Sequence, residues 1–366
     1  MQKVLAVIVL AAGLATSAQA QQAWQKEIGI QGGFTRLVAA GSGGNPIDIV
    51  SLPGFNLGPL LPSAPGLYAV IPWKNKIAVE FDVAASQLTA GAGATLVTLG
   101  VRGDYALTNR FYAAAGGAVG YVNNSGSGET QLAVQAAVGY RHHLTGPLNG
   151  RVEVGARLWG KAENVGPQNA YSVLLGVSTA TRRAATARGA PRAATGAWTK
   201  QFGVAGGYAN VHEVGGANDI TLLMFPSFGS GVGAALSSPE ISLPSPIFAI
   251  FPIGKKLALE PGVDIHRIQS SGTTTFVGGF SARLNYAVHG GWYGAAGANL
   301  QYLKSTGADA ATRTALNLAW GYRFALTGPL GGRVEMNYTL WGRNTDLAIA
   351  PVNTFGLLFG VLVPLR

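Results

Sequence analysis

Gly139-Tyr140-Arg141-His142-His143-Leu144-Thr145-Gly146-Pro147-Leu148-Asn149-Gly150-Arg151-Val152-Glu153 returns 182 residues later as Gly321-Tyr322-Arg323-Phe324-Ala325-Leu326-Thr327-Gly328-Pro329-Leu330-Gly331-Gly332-Arg333-Val334-Glu335. Each copy reads as a β-hairpin. An alternating run enters Thr-Gly-Pro-Leu-x-Gly, whose Gly and Pro supply turn dihedrals, and a second alternating run leaves it. The chain is therefore a duplication. Other echoes agree: Gly203-Val204-Ala205-Gly206-Gly207 matches Gly29-Ile30-Gln31-Gly32-Gly33 at an offset of 174. Leu257-Ala258-Leu259-Glu260 and Trp292-Tyr293 match Ile77-Ala78-Val79-Glu80 and Phe111-Tyr112, with the offset growing to 181. The drift falls in connections, as expected of two copies of one fold.

Outward from the hairpin, the first copy divides into eight predicted strands, at 24–38, 67–73, 77–89, 95–107, 110–123, 130–144, 151–163 and 170–180. The second copy follows the same plan from 198 to 366, and segments 39–66 and 214–245 read as long loops. Period-two alternation is plainest after the turn, where Val152, Val154, Ala156 and Leu158 share one face and Arg151, Glu153 and Arg157 the other. Trp159 falls on the polar face, so it either packs inside or follows a bulge.

Residues 1–20 carry Lys3, an apolar run and Ala18-Gln19-Ala20, the pattern of a secretory signal peptide. The organisation expected is thus signal peptide 1–20, first eight-stranded repeat 21–181, basic Ala/Arg-rich linker 182–197 and second repeat 198–366. No later stretch offers about 18 uninterrupted apolar residues, so any membrane crossing must use strands. Only 11% of residues are charged, against roughly 25% in an ordinary soluble domain. There is no cysteine, which removes disulfides and thiolate chemistry. The net charge is +10, with Arg182, Arg183, Arg188 and Arg192 gathered in the linker. Such a segment is a solvated tether or a contact for anionic headgroups or an acidic envelope polymer. The charge is not interleaved with aromatics on one surface, which argues against nucleic acid as a partner.

Alternation fits a sandwich with an apolar inside or a barrel with an apolar outside, and the low charge content favours the barrel. Strands of about 10 to 14 residues match tilted membrane-spanning strands with some overhang. Aromatics cluster toward strand ends, with Trp73, Tyr105, Phe111, Tyr112 and Tyr140 at one end and Phe34 and Tyr121 toward the other, as interfacial girdles do. In these features the chain resembles the small eight-stranded outer-membrane barrels of the OmpA/OmpX-like type, over most of 24–180 and again over 198–366. The resemblance implies an all-β, transmembrane, antiparallel up-and-down barrel in the bacterial outer membrane. It would contact outer-membrane lipid and be inserted by the outer-membrane assembly machinery. That machinery reads a closing Gly-x-x-apolar-x-aromatic signal, for which Gly360-Val361-Leu362-Val363-Pro364-Leu365 gives the spacing but Leu365 replaces the aromatic. Two tandem barrels are expected, with one sixteen-stranded barrel as the alternative.

Alternation assigns a lumen charge network: Glu80, Asp82, Arg102, Asp104, Arg141, Arg151, Glu153 and Arg157 in the first half, and Glu260, Asp264, Arg283, Arg323, Arg333 and Glu335 in the second. Charges of both signs in a low-dielectric lumen must pair, making a plug or a selectivity lining. Of five histidines, His142 and His143 alternate faces, whereas Asp264 and His266 share one and could form an acid–base pair or weak metal site. No serine–histidine–carboxylate set has a recognisable spacing, so no catalytic residue, cofactor or resident metal is expected and the chain is not read as an enzyme. The predicted loops carry Leu52, Phe55, Leu60, Leu61, Leu222, Leu223, Met224, Phe225 and Phe228, which fold over the mouth or serve a surface ligand. The function expected is a structural or interaction protein presenting loops over salt-bridged lumens, the alternative being a porin-like channel.

Overall fold

The computed structural model describes residues 24–39, 46–52, 66–90, 92–124, 127–145, 148–163, 166–180, 197–213, 219–225, 247–326, 330–342 and 351–365. The signal peptide and all of the basic linker but its last residue, Ala197, lie outside these residues. Strands dominate, and no described helix is long and apolar enough to cross a membrane.

In the first half the strands are β1 (Glu27–Ala39), β2 (Ile47–Leu52), β3 (Leu67–Lys74), β4 (Ile77–Ala90), β5 (Ala92–Ala106), β6 (Phe111–Asn124), β7 (Ser127–Thr145), β8 (Leu148–Trp159) and β9 (Gln168–Ala180). The second half repeats them as β10 (Gln201–Glu213), β11 (Asp219–Phe225), β12 (Ile247–Pro252), β13 (Leu257–Ser270), β14 (Thr273–His289), β15 (Trp292–Ser305), β16 (Ala311–Ala325), β17 (Gly331–Trp341) and β18 (Val352–Pro364). All pairings are antiparallel and the sheet closes.

Segments 39–66 and 214–245 are not loops throughout, because β2 and β11 lie within them. Leu52 ends β2, and Leu222, Leu223, Met224 and Phe225 belong to β11, while Phe55, Leu60, Leu61 and Phe228 lie outside the described residues. The second strand of an ordinary eight-stranded barrel is here broken into two pieces, and the pieces have different partners. β3 pairs with the start of β1 (Ile30↔Leu67) and with β4 (Leu67↔Val83). β2 pairs with the end of β1 (Leu37↔Ile47) but on its other edge with β13 of the second half (Ile265↔Leu52 to Ser270↔Ile47). The second half answers in kind: β12 joins β10 to β13, while β11 joins β10 to β4 of the first half (Thr221↔Thr89 to Phe225↔Ala85).

Two circuits follow from these registers. Toward the end where β1 starts and β18 finishes, the turn end, β1-β3-β4-β5-β6-β7-β8-β9 and β10-β12-β13-β14-β15-β16-β17-β18 are separate eight-stranded rings. Toward the opposite, loop end, the circuit is β1-β2-β13 to β18, then β10-β11-β4 to β9, sixteen strands in one ring. Both sequence alternatives are thus present, at different levels of one molecule. The merged ring is not an open cylinder. Leu37 and Ile49 share one buried apolar cluster with Ala209, Val211, Trp341 and Val352, although β1 and β10 stand eight places apart on the circuit.

The change of partner along β1 and β10 is made at glycine. Gly33 has φ +153 and Gly207 φ +156, in the region that favours glycine, and a Cβ there would meet Val173 O at 2.2 Å and Leu357 O at 2.1 Å. Among the other loop-end connections, one residue separates β4 from β5 and two separate β13 from β14, whereas eight separate β8 from β9 and ten separate β17 from β18. A two-residue link is hairpin geometry, and the connections longer than ten residues within each half belong to the broken strands.

Outward and inward faces differ as a lipid-facing barrel requires. On β7, Leu132 and Val134 are 69% and 63% exposed, while Ala133 between them and Gln131 and Gln135 on either side are buried. Aromatics ring the outside near the turn end (Trp73, Tyr105, Phe111, Phe251, Tyr286, Trp292) and again near the loop end (Tyr121, Tyr302, Tyr338, Phe355). Phe111 and Tyr140 are register partners with ring centroids 5.0 Å apart, repeated by Trp292 and Tyr322 at 5.0 Å. Tyr112, expected in the girdle, points inward and is buried, because it is one residue out of phase with Phe111. Trp159 also packs inside, against Ala118 and Ala133, and β8 keeps its register with β7 from Arg151 through Trp159.

Candidate functional site: two copies of a lumen ion cluster

In the first half, β4, β5, β6 and β8 bring Glu80, Arg102, Tyr112, Arg151 and Glu153 together inside the ring. Arg102 donates Nη1 to Glu153 Oε1 at 2.8 Å and Nη2 to Glu153 Oε2 at 2.5 Å, a fork-to-fork pair. Its Nη2 also lies 2.9 Å from Glu80 Oε1, and its Nε lies 3.2 Å from Asp104 Oδ1. Arg151 donates Nη1 to Glu80 Oε2 at 2.5 Å and also donates to Gln31. Tyr112 donates its hydroxyl to Glu153 Oε2 at 2.6 Å. The Arg151 guanidinium stacks 3.5 Å over the Tyr68 ring. All of these side chains are buried.

The second half rebuilds the cluster with Glu260, Arg283, Tyr293, Arg333 and Glu335. Arg283 donates Nη1 and Nη2 to Glu335 at 2.7 and 2.6 Å and Nε to Glu260 Oε1 at 2.9 Å. Arg333 donates to Glu260 Oε2 at 2.8 Å, and Tyr293 donates to Glu335 Oε2 at 2.6 Å. Phe248 replaces Tyr68 under the second arginine, at 3.7 Å. Each Arg–Glu lattice crosses from the β4/β5 wall to the β8 wall, or from β13/β14 to β17, so the side chains span their ring instead of lining it.

The remaining predicted residues are peripheral to the clusters and show how the copies have diverged. Arg157 donates Nη2 to Asp82 Oδ2 at 2.9 Å and Nε to Gln135 Oε1 at 3.1 Å. Its equivalent by strand register is Thr339, which accepts from Asn317 at 2.8 Å. Arg141 pairs with Glu27 and stacks 4.3 Å over Trp24. The matching Arg323 stacks 3.7 Å over Trp198, but Gln201 stands where Glu27 would be. Asp264 and His266 are buried on one face with Nε2 and Oδ2 3.3 Å apart, beside the point where β13 changes partner. His142, His143 and His289 are exposed at the turn end. Among the described residues no group of three or more His, Asp or Glu side chains could hold a metal ion.

Glu27, Gln31 and the two tyrosines are site residues that sequence reasoning missed. Glu27 accepts from Ser178 Oγ at 2.6 Å as well as pairing with Arg141, and its phase against Ile28 and Ile30 was the available signal. Above the first cluster a polar void is lined by Gln31, Thr35, Asp82, Gln135, Arg157 and Ser172.

No protein-family model matches the chain, and no curated protein matches it. Among solved structures it is similar to the CymD monoaromatic hydrocarbon channel (10% identity, covering 98% of this chain and 92% of that one, TM-score 0.30). It is also similar to OmpT, an outer-membrane protein of Vibrio cholerae (10% identity, 92% and 96%, TM-score 0.27), and to the KdgM porin (7% identity, 78% and 99%, TM-score 0.23). These neighbours are outer-membrane barrels, and superpositions this loose transfer neither strand number nor activity.

Proposed function

We propose that the chain is an integral barrel of the bacterial outer membrane whose two lumens are closed by ion clusters, with a structural or interaction role exercised at its loop end. The reading is non-catalytic. The observation that carries it is the duplicated cluster: Arg102 with Glu80 and Glu153, and Arg283 with Glu260 and Glu335, bridge opposite walls of rings that side chains alone can fill. The apolar exterior and twin aromatic girdles support membrane insertion, with outer-membrane lipid as the surrounding solvent and the assembly machinery as the expected insertion route. The turn end, where both β1 begins and β18 finishes, then faces the periplasm. Any surface ligand would meet the loop end.

The competing reading is a porin-like channel, and the polar void of the first lumen, which reaches Arg102 and Glu153, supports it. Planar-bilayer recording of the purified monomer separates the two. The closed reading expects no stable open state, and a persistent large conductance in the unmodified chain would sink it.

A further inference from the structure

The two rings of the turn end touch through their outward faces, and that contact has the chemistry of a lipid site. On β9, Val173 and Leu175 are exposed at 44% and 52%, whereas Val177 farther along the same face is half-buried and Thr179 is buried. What covers them is the other half. An almost wholly apolar crevice is lined by Ile28 and Ile30 of β1, Phe202 and Val204 of β10, and Val361 and Val363 of β18. Leu148, Leu330 and Val363 pack together at its turn end, level with Ile28 and Phe202.

Its mouth is cationic. Lys26 and Lys200 are exposed and stand two residues before Ile28 and Phe202, just ahead of the first residues of β1 and β10. The whole rim shares the sign: Lys74, Lys76, Arg110, Lys255 and Lys256 are exposed there, with no exposed carboxylate among the described residues of that rim. Lys74 and Lys256 lie 6.0 and 5.8 Å over the girdle rings of Trp73 and Tyr286, which marks the level as that of lipid headgroups. The loop end is balanced instead, with Arg36, Lys161, Arg267 and Lys304 against Asp48, Glu129, Glu163 and Asp309.

We propose that the crevice between the two rings, with Lys26 and Lys200 at its mouth, binds an anionic phospholipid of the leaflet that surrounds the turn end. An acyl chain lies along Ile28, Ile30, Phe202 and Val204, where lipid must in any case replace water, and the phosphate meets the two ammonium groups. The site rests on the membrane-spanning reading above and adds a specific headgroup charge to it.

The test uses the full chain folded in zwitterionic detergent, with heat-modifiable gel migration confirming the barrel, and native mass spectrometry against dimyristoyl phosphatidylglycerol or dimyristoyl phosphatidylcholine. Preferential retention of the phosphatidylglycerol is expected, and K26Q/K200Q should reduce that preference about tenfold, in line with the attraction of a basic side chain to an anionic headgroup. K74Q/K76Q, on the same rim but outside the lining of the crevice, should leave most of it. Equal retention of the two lipids by the unmodified chain overturns the proposal, as does an undiminished preference in K26Q/K200Q or an equal loss in K74Q/K76Q. Failure of the membrane reading looks different: the chain would stay soluble without detergent and show no heat-modifiable form.

Discussion

Glu335 accepts hydrogen bonds from Arg283 and Tyr293, with Asn337 and Arg333 farther off, and has no exposed surface of its own, so its charge is stabilised by these buried partners. Glu335→Gln leaves two guanidinium groups sharing Glu260 in a dry lumen. Breaking one side of a buried pair costs about 3–5 kcal/mol, and the urea midpoint of the heat-modifiable form should fall accordingly. A midpoint within error of the unmodified chain would show that the cluster is hydrated and not a plug. The glycines at the partner switch make a second, independent test. Gly33→Ala introduces a Cβ 2.2 Å from Val173 O at a positive φ, and strain of this kind costs about 1–3 kcal/mol. Gly103→Ala, where a Cβ would meet nothing within 4 Å, should cost less in the same unfolding titration. At this scale much was legible in the sequence. Alternation from Val152 to Leu158 set the phase that puts Arg151, Glu153 and Arg157 on one face, and Gly32-Gly33 stood out because Gly206-Gly207 repeats it. What alternation does not carry is depth along the strand. It could not show that Glu80 meets Arg151, 71 residues away, or that Gly33 is needed at a junction.

At the scale of elements, β2 and β11 were hidden by brevity. Six residues, Ile47 to Leu52, alternate well enough to be a strand, but a run that short within a Gly- and Pro-rich stretch has the composition of a loop. Even once seen, its partner is not written in it, since any strand edge of matching phase would accept the same pattern. The exchange has a direct test in a chain without native cysteines. Val50 faces Arg267 of β13 across the ladder. Were β2 to pair within its own half, as β11 pairs with β4, its register would set Val50 opposite Gln87 instead. V50C/R267C should form a disulfide under mild oxidation and V50C/Q87C should not. The reverse result would mean two complete and separate barrels.

For the whole molecule, the exchange makes the covalent tether between the halves dispensable once folding is complete. A protease site introduced at residue 188 and cut after folding should leave both fragments migrating together in unboiled gels and apart after boiling. Fragments that separate on cleavage without boiling would show that only the chain between β9 and β10 held them. Duplication, closure and an inside-out polarity were all readable from the hairpin repeat, the hydrophobic alternation and the scarcity of charge. The choice between two barrels and one was not, because it depends on pairings such as Leu52 with Ile265, 213 residues apart, which leave no local trace. That same separation sets a timetable for biogenesis. When the first half has been delivered, the loop-end edge of β4 still lacks β11, the strand that completes it in the folded protein. Until then the half-made barrel presents an open edge, ready to accept any extended chain that meets it. Secretion of this protein therefore includes an interval in which its own second copy must outcompete neighbours for that edge, and a tether of Ala, Arg and Gly between the copies keeps the rightful strand at high local concentration.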